Sequence, residues 1–349
     1  MVKIRRNLTV VLIFLLIVSL ASVSVSAVSV VNDGFSIEIN PYTKKGTVVD
    51  YRGTSDSVRI PDKYSTIPII SVADSIFLNK TFIKNVTIPN GITTLGNEVF
   101  KGTSISQVFI PYSVTAIGNG LFENCSSLKF VNNNTLITNI PAKMFADCSE
   151  LNNILFLSSV QSVGEKAFYN CTLLKDLSFL KDTEQIDSFA FYNTGVEQLV
   201  LSDSLESISD YAFAQCKNLQ KVTIPSSVSN ISATAFDGDD NLTIVGELNS
   251  YAHSYASQHN IPFAVAVNFM LGDVDGSNEI DINDVTLIQS YLAELRTLDN
   301  ISLLAADANQ DDFVDISDAT AIQMKLAEYE LPYPIGQYVT KEVVAQENN

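Results

Sequence analysis

"VTIPNGITTLGNEVFKGTSISQVFIPYSVTAIGNGLFENCSSLKFV", residues 86–131, contains one pattern written twice: Val86, Leu95 and Phe100 return as Val108, Ile117 and Phe122. Followed outward, the phenylalanine recurs at 77, 100, 122, 145, 168, 191, 213 and 236, always 22 or 23 residues apart. A period of this length marks a solenoid whose repeats each supply a short strand and a turn or short helix, and each cover a neighbour's apolar face. Two further rows keep phase with the phenylalanine. Fourteen residues before it stand Val86, Val108, Val131, Ile154, Leu177, Leu199 and Val222, and five before it Leu95, Ile117, Ile140, Val163, Ile186, Ile208 and Ile231. Branched side chains repeating this way are expected to form inward layers, because a strand alternates its faces.

Cys125, Cys148, Cys171 and Cys216 all fall three residues after a repeat phenylalanine, while the two short repeats carry Thr103 and Thr194 there. A position that takes either small residue reads as packing, so free buried thiols are expected. Distance alone leaves a Cys125–Cys148 or Cys148–Cys171 bridge open.

These segments, with "VTIPSSVSNISATAFDGDDNLTIV" at 222–245, resemble the BspA-like class of bacterial leucine-rich repeats. The resemblance implies an α/β solenoid over residues 58–240. An N-terminal cap hairpin is expected at 28–57, turning at Lys45-Gly46. "SYAHSYASQHNIPFAVAV" supplies a helix and a strand for a C-terminal repeat cap over 241–268.

The chain then changes character. Residues 269–330 hold fourteen Asp and Glu against Arg296 and Lys325, a self-repelling segment unless cations neutralise it. Within it "GDVDGSNEIDINDV", 272–285, is answered by "ADANQDDFVDISDA", 306–319. A hard divalent ion needs six to eight oxygens about one point, and alternate side chains plus one carbonyl of a twelve-residue loop supply them. Here these are Asp273, Asp275, Ser277, the Glu279 carbonyl, Asp281 and Asp284, then Asp307, Asn309, Asp311, the Phe313 carbonyl, Asp315 and Asp318. Asn278 and Asp312 replace the usual sixth-position glycine, and both types tolerate the left-handed turn required. Two Ca2+ are expected.

"DVTLIQSYLAE" (284–294) and "DATAIQMKLAE" (318–328) follow with apolar residues at helical spacing. Each unit is read as a loop followed by one helix, with none in front. This arrangement resembles the dockerin of cellulosome-type assemblies, covering 269–335, a small all-α calcium-binding domain. The resemblance implies a cohesin domain on a scaffold protein as partner. It also implies contact through Ile282, Asn283, Gln289 and Ser290 in the first unit and Ile316, Ser317, Gln323 and Met324 in the second, in two orientations related by a half turn. Residues 336–349 are expected to be a flexible tail.

Residues 1–27 carry Lys3, Arg5 and Arg6, an apolar run and the small residues Val25-Ser26-Ala27, the layout of a secretory signal peptide cleaved after Ala27. An uncleaved anchor is the other reading of that run. No other segment is apolar enough to span a membrane, so an exported protein is expected, extracellular or held at the cell surface by its scaffold. The net charge of −18 repels nucleic acid and anionic lipid.

The only histidines, His253 and His259, lie in the terminal cap, and no nucleophile–base–orienter set is visible. The expected function is therefore a non-catalytic binding protein carried to a scaffold, its sheet gripping a protein or polysaccharide through a face that includes Phe109, Leu155 and Val200. An adhesin-like surface protein with the dockerin as anchor, and a polysaccharide-degrading enzyme, are the alternatives. The absence of tryptophan disfavours sugar stacking, although 13 tyrosines remain.

Overall fold

The computed structural model describes residues 28–344 except 157; the signal segment expected at 1–27 lies outside the described residues. The chain divides into two compact units. The first opens with antiparallel strands Val28–Asn32, Phe35–Ile39 and Gly46–Tyr51. The expected single hairpin is thus a three-stranded meander. Its extra turn is Asp33-Gly34, both at positive φ, the dipeptide that suits the right-handed twist of a tight hairpin. Phe35 and Tyr51 pack on Phe77 with ring centroids 6.2 and 5.3 Å away, so the meander covers the first repeat.

Each repeat, except the one around Leu177, then contributes to two strand rows. In the first row Gln107–Ile110, Phe130–Asn133 and Asn153–Phe156 pair in parallel with Val108, Val131 and Ile154 in register. In the second, two-residue strands stack, as in Asn139–Ile140, Ser162–Val163 and Gln185–Ile186. Between them runs the phenylalanine column. All eight rings are buried, and neighbours stack nearly parallel with centroids 5.2–5.7 Å apart. Burial of such a ring contributes about 1.5–3 kcal/mol, and ring stacking about 0.5–1.5 kcal/mol more.

The turn after each ring needs a left-handed residue. Asn79, Gly102, Asn124, Asp147, Asn170, Asn193, Gln215 and Gly238, each two places past a phenylalanine, all have positive φ. Asparagine, aspartate and glycine dominate there because a Cβ is least costly for them in that region. The amides also bond along the column, Asn193 Nδ2 to Asn170 Oδ1 at 2.9 Å and Asn170 Nδ2 to Asp147 Oδ1 at 2.8 Å.

The four cysteines are free and buried. Each Sγ donates to a phenylalanine carbonyl of an earlier repeat: Cys125 to Phe100, Cys148 to Phe122, Cys171 to Phe145 and Cys216 to Phe191, at 3.0–3.2 Å. Burial pushes the Cys148 and Cys171 thiols far above their usual range. Such groups are poor nucleophiles.

One expected strand is missing. Around Leu177 the chain forms a 3-10 helix, Ser178–Asp182, begun by Asp176 Oδ1 accepting from the Ser178 amide at 2.8 Å. The turn inserts Phe179 against Phe156 and Phe168, at 4.9 and 5.6 Å, and buries Leu180. This half-buried ring packing takes the place of a sheet rung, and the sheet of 107–110, 130–133 and 153–156 has no fourth member.

The second unit holds a five-stranded sheet in the order Gln198–Val200, Lys221–Thr223, Thr243–Val245, Phe263–Met270, Tyr338–Val344. The first four run parallel and the last is antiparallel. Helix α1 (Tyr251–Gln258) is capped by the Ser250 side chain accepting from the His253 amide. The tail departs from expectation: Tyr338–Val344 pairs along the whole of Phe263–Met270, from Ala264↔Val344 to Met270↔Tyr338. Residues 336–344 are therefore not a flexible tail. The boundary drawn at 268/269 falls inside one continuous strand.

Three helices complete this unit: α2 (Ile282–Leu292), α3 (Asn300–Ala306) and α4 (Ile316–Leu326). Val285, Ile288, Ala319 and Ile322 bury the α2–α4 contact. Helix α3 directly precedes the second acidic loop, so the expectation of no helix in front holds only for the first loop. No helix among the described residues is long and apolar enough to cross a membrane.

Candidate calcium loops and docking surface

The two acidic loops fold alike because each is wired by its own carboxylates. In the first, Asp284 is fully buried. Its Oδ1 accepts from the Val274 and Asp275 amides at 2.7 and 3.2 Å, and its Oδ2 from Asp281 at 2.9 Å. Asp273 accepts from Ser277 and Asn278, both at 2.9 Å, and Asp275 from Ser277 at 3.0 Å. In the second loop Asp318, also fully buried, accepts from Asn309 at 3.1 Å and Asp315 at 2.9 Å. Asp307 accepts from Asp311 and Asp312 at 3.0 and 3.1 Å. Asn278 and Asp312 sit at φ 66° and 68°, the left-handed conformation their residue types predict.

Oxygens of Asp273, Asp275 and Asp284 converge within 4.8 Å of one another. Burial raises the pKa of Asp284 and of Asp318, although backbone amides pull in the other direction. Three crowded carboxylates, two of them on buried residues, form an oxygen-only set that suits a hard cation such as Ca2+. Among the described residues the second loop gathers no equivalent triad of acids, since Asn309 stands at its third position. Its amide instead donates to Asp311 Oδ2 at 3.0 Å and to Ser317 Oγ at 2.9 Å.

Asp281 lies outside the first-loop triad. Asp281 and Asp315 cap α2 and α4, each accepting from the amide two residues on, and Asp284 and Asp318 reciprocate to complete capping boxes. This D-x-x-D pattern ties each helix start to its loop. Glu279 and Phe313, expected to offer carbonyls, are exposed at the loop rims, and the Glu279 carbonyl accepts from Ser277 Oγ at 3.2 Å.

Ile282 and Ile316, at the first turn of α2 and α4, are 58% and 62% exposed. Asn283, Gln289, Ser317, Gln323 and Met324 are also exposed, and Ser290 is half-buried. Large aliphatic side chains held open at equivalent points of two matched helices are what a partner surface requires. Asn283 and Ser317 additionally bond back to Asp281 and Asp315.

On the repeats, Phe109 and Leu155 flank Asn132 in one register row and are 48% and 51% exposed. Val200, 68% exposed, belongs to a different sheet. An aromatic stripe was not anticipated: Tyr169 stacks on Tyr192 at 4.9 Å and Phe189 on Tyr211 at 4.8 Å, with Lys166 Nζ 5.1 Å from the Phe189 centroid. These rings spend their faces on each other, which makes the stripe a packing feature. Its signal was present in sequence as aromatics one place after or two before the repeat phenylalanine.

A solenoid of short parallel strands joined by turns around a phenylalanine column defines a leucine-rich-repeat protein. The BspA type leucine-rich repeat family matches with six copies over residues 54–175 and 138–252, and the chain belongs to that family. Residues 271–327 match the dockerin type I domain, a cohesin-binding module that typically binds calcium. The solved structures similar to this chain include a leucine-rich repeat protein from Bacteroides ovatus, 19% identical over 62% of this chain and 70% of that one, TM-score 0.46. Another, from Eubacterium ventriosum, is 24% identical over 63% and 52%, TM-score 0.41. The leucine-rich repeat protein of T. pallidum is 21% identical over 63% and 83%, TM-score 0.31. No curated protein matches the chain.

Proposed function

We propose that this is a non-catalytic, exported binding protein that attaches through its dockerin to a cohesin-bearing extracellular scaffold, and that its repeats hold a protein or polysaccharide ligand. The observation that carries the reading is the pair of similarly wired acidic loops, each opening a helix with an exposed isoleucine at its first turn. Bound Ca2+ would be held by Asp273, Asp275, Ser277 and Asp284 in the first loop and by Asp307, Asn309, Asp311 and Asp318 in the second. The ion would neutralise the clustered charge. The chain's own hydrogen bonds then set the helix starts on which the isoleucines sit.

A cohesin panel immobilised in calcium should capture the full chain, and EDTA should release it. Because α2 and α4 present matching residues, Ile282→Arg or Ile316→Arg alone leaves one orientation usable and is expected to weaken capture by less than tenfold. The double variant is expected to lose at least a hundredfold, as buried apolar anchors at interface centres do. Undiminished capture by the double variant would place the interface elsewhere.

For the repeats, Phe109 and Leu155 give the sheet two exposed apolar side chains on either side of Asn132, where polar residues would serve the fold equally well. Serine at both positions should leave the thermal transition nearly unchanged and abolish ligand retention from whole-cell or glycan arrays. Retained binding would direct attention to the turn side of the solenoid.

A further inference from the structure

The terminal strand Tyr338–Val344 touches both acidic loops at their sixth positions. Tyr338 donates its hydroxyl to Asn278 Oδ1 at 2.7 Å in the first loop. In the second, Lys341 Nζ lies 2.7 Å from Asp312 Oδ1 and 3.7 Å from Oδ2 of Asp307, the loop's first ligand. The neighbouring Glu342 faces away and pairs with Lys221 at 3.0 Å. One strand therefore joins the sheet of the last repeats to both loops, by a neutral contact at the first and by a cation at the second.

We infer that Lys341 is a resident counter-cation of the second loop and makes it the weaker of the two calcium sites. The ligand charge alone gives no asymmetry. Asp273, Asp275 and Asp284 match Asp307, Asp311 and Asp318 in number, and the helix-capping Asp281 matches Asp315. The surroundings differ. The first loop adds Glu279, with no cationic side chain paired to it among the described contacts, while the second adds Asp312, which Lys341 cancels. The second loop thus presents one negative charge fewer to an arriving divalent ion. A unit charge roughly 6 Å from such an ion in a water-like dielectric alters its affinity about tenfold.

The inference rests on the loops being calcium sites. Calorimetric titration of the full chain with CaCl2 at low salt tests it, with Asp275→Ala and Asp311→Ala used to assign each step to its loop. The wild-type chain should show two steps about tenfold apart, the weaker assigned to the second loop. Lys341→Gln should tighten that step about tenfold and leave the first within twofold, while Lys341→Arg behaves as wild type. The gap should narrow in 0.5 M NaCl, about as expected when screening acts over a few ångströms. A Lys341→Gln chain whose second step is unchanged or weaker, or whose two steps move together, overturns the assignment. If the wild-type chain takes up no calcium at all, the calcium reading fails with it, a result distinguishable from two equal steps. Lys341 is 44% exposed in its side chain, so the variant is expected to fold, which far-UV circular dichroism in saturating calcium checks.

Discussion

Chelation is expected to melt α2, α3 and α4 while leaving the repeat sheet intact. The helical module has a small core, built largely from Val285, Ile288, Ala305, Ala306, Ala319 and Ile322. A core of that size supplies at most about 3–5 kcal/mol. Against it stand fourteen acidic residues within 269–330 and two carboxylates, Asp284 and Asp318, that burial disfavours as ions. An ion present at a thousand times its dissociation constant contributes about 4 kcal/mol per site, comparable to the whole core. The repeats depend on none of this, since their eight-ring column is their own. Hydrogen exchange on the full chain should show the amides of 282–292 and 316–326 losing protection in EDTA, with those of 107–110 and 130–133 unaffected. Protection of the two helices that survives EDTA would remove calcium from the folding argument.

The pH dependence follows with a definite sign. A carboxylate whose folded pKa is raised favours the fold in its protonated form, so that contribution is present at low pH and lost as pH rises through the raised value. The chelated form should therefore recover some stability on acidification. The loaded form loses its ions over the same range, because ligation needs the carboxylates ionised. The difference between the two forms is expected to shrink as pH falls through the raised values of Asp284 and Asp318. Asp284→Ala in saturating calcium should resemble chelation at the first loop, since it also strips partners from the amides of Val274, Asp275 and Asp281. A buried amide left without a partner costs about 1–3 kcal/mol.

The period of the phenylalanine carried the solenoid because each repeat contacts only its neighbours, so local sequence and tertiary contact are nearly the same thing there. The acidic loops were equally readable, as all their ligands lie within twelve residues. What was missed depends on distant partners. "YVTKEVV" alternates as a strand does, yet nothing local says that its partner is Phe263–Met270, about 70 residues earlier and beyond three helices. The same holds for Lys341, whose meaning appears only once the strand is placed beside Asp312. Around Leu177 the row pattern persisted while Phe179 found ring contacts with Phe156 and Phe168, and a tertiary contact overrode the periodicity.

Phe168→Ala is expected to be the most damaging single change in the repeats. Phe168 stacks on Phe145 at 5.3 Å and Phe191 at 5.2 Å, and Phe179 closes a third side at 5.6 Å. Truncating a buried phenylalanine costs about 3–5 kcal/mol, with the upper end applying where the surroundings cannot collapse. Collapse is difficult here because the turns on either side are fixed by backbone bonds between repeats, including Phe168 N to the Ala190 carbonyl at 2.8 Å and Phe145 N to the Ala167 carbonyl at 2.8 Å. In a stack coupled only through neighbours, such a cavity also divides the column into two shorter ones. Guanidinium unfolding should then show a lower midpoint and a shallower slope than wild type, as the halves unfold apart. Phe109→Ala, by contrast, removes a ring that is half exposed on the sheet and should shift the midpoint little. A Phe168→Ala chain that unfolds in one transition within about 1 kcal/mol of wild type would show that the strand rows, and not the ring column, hold the repeats together.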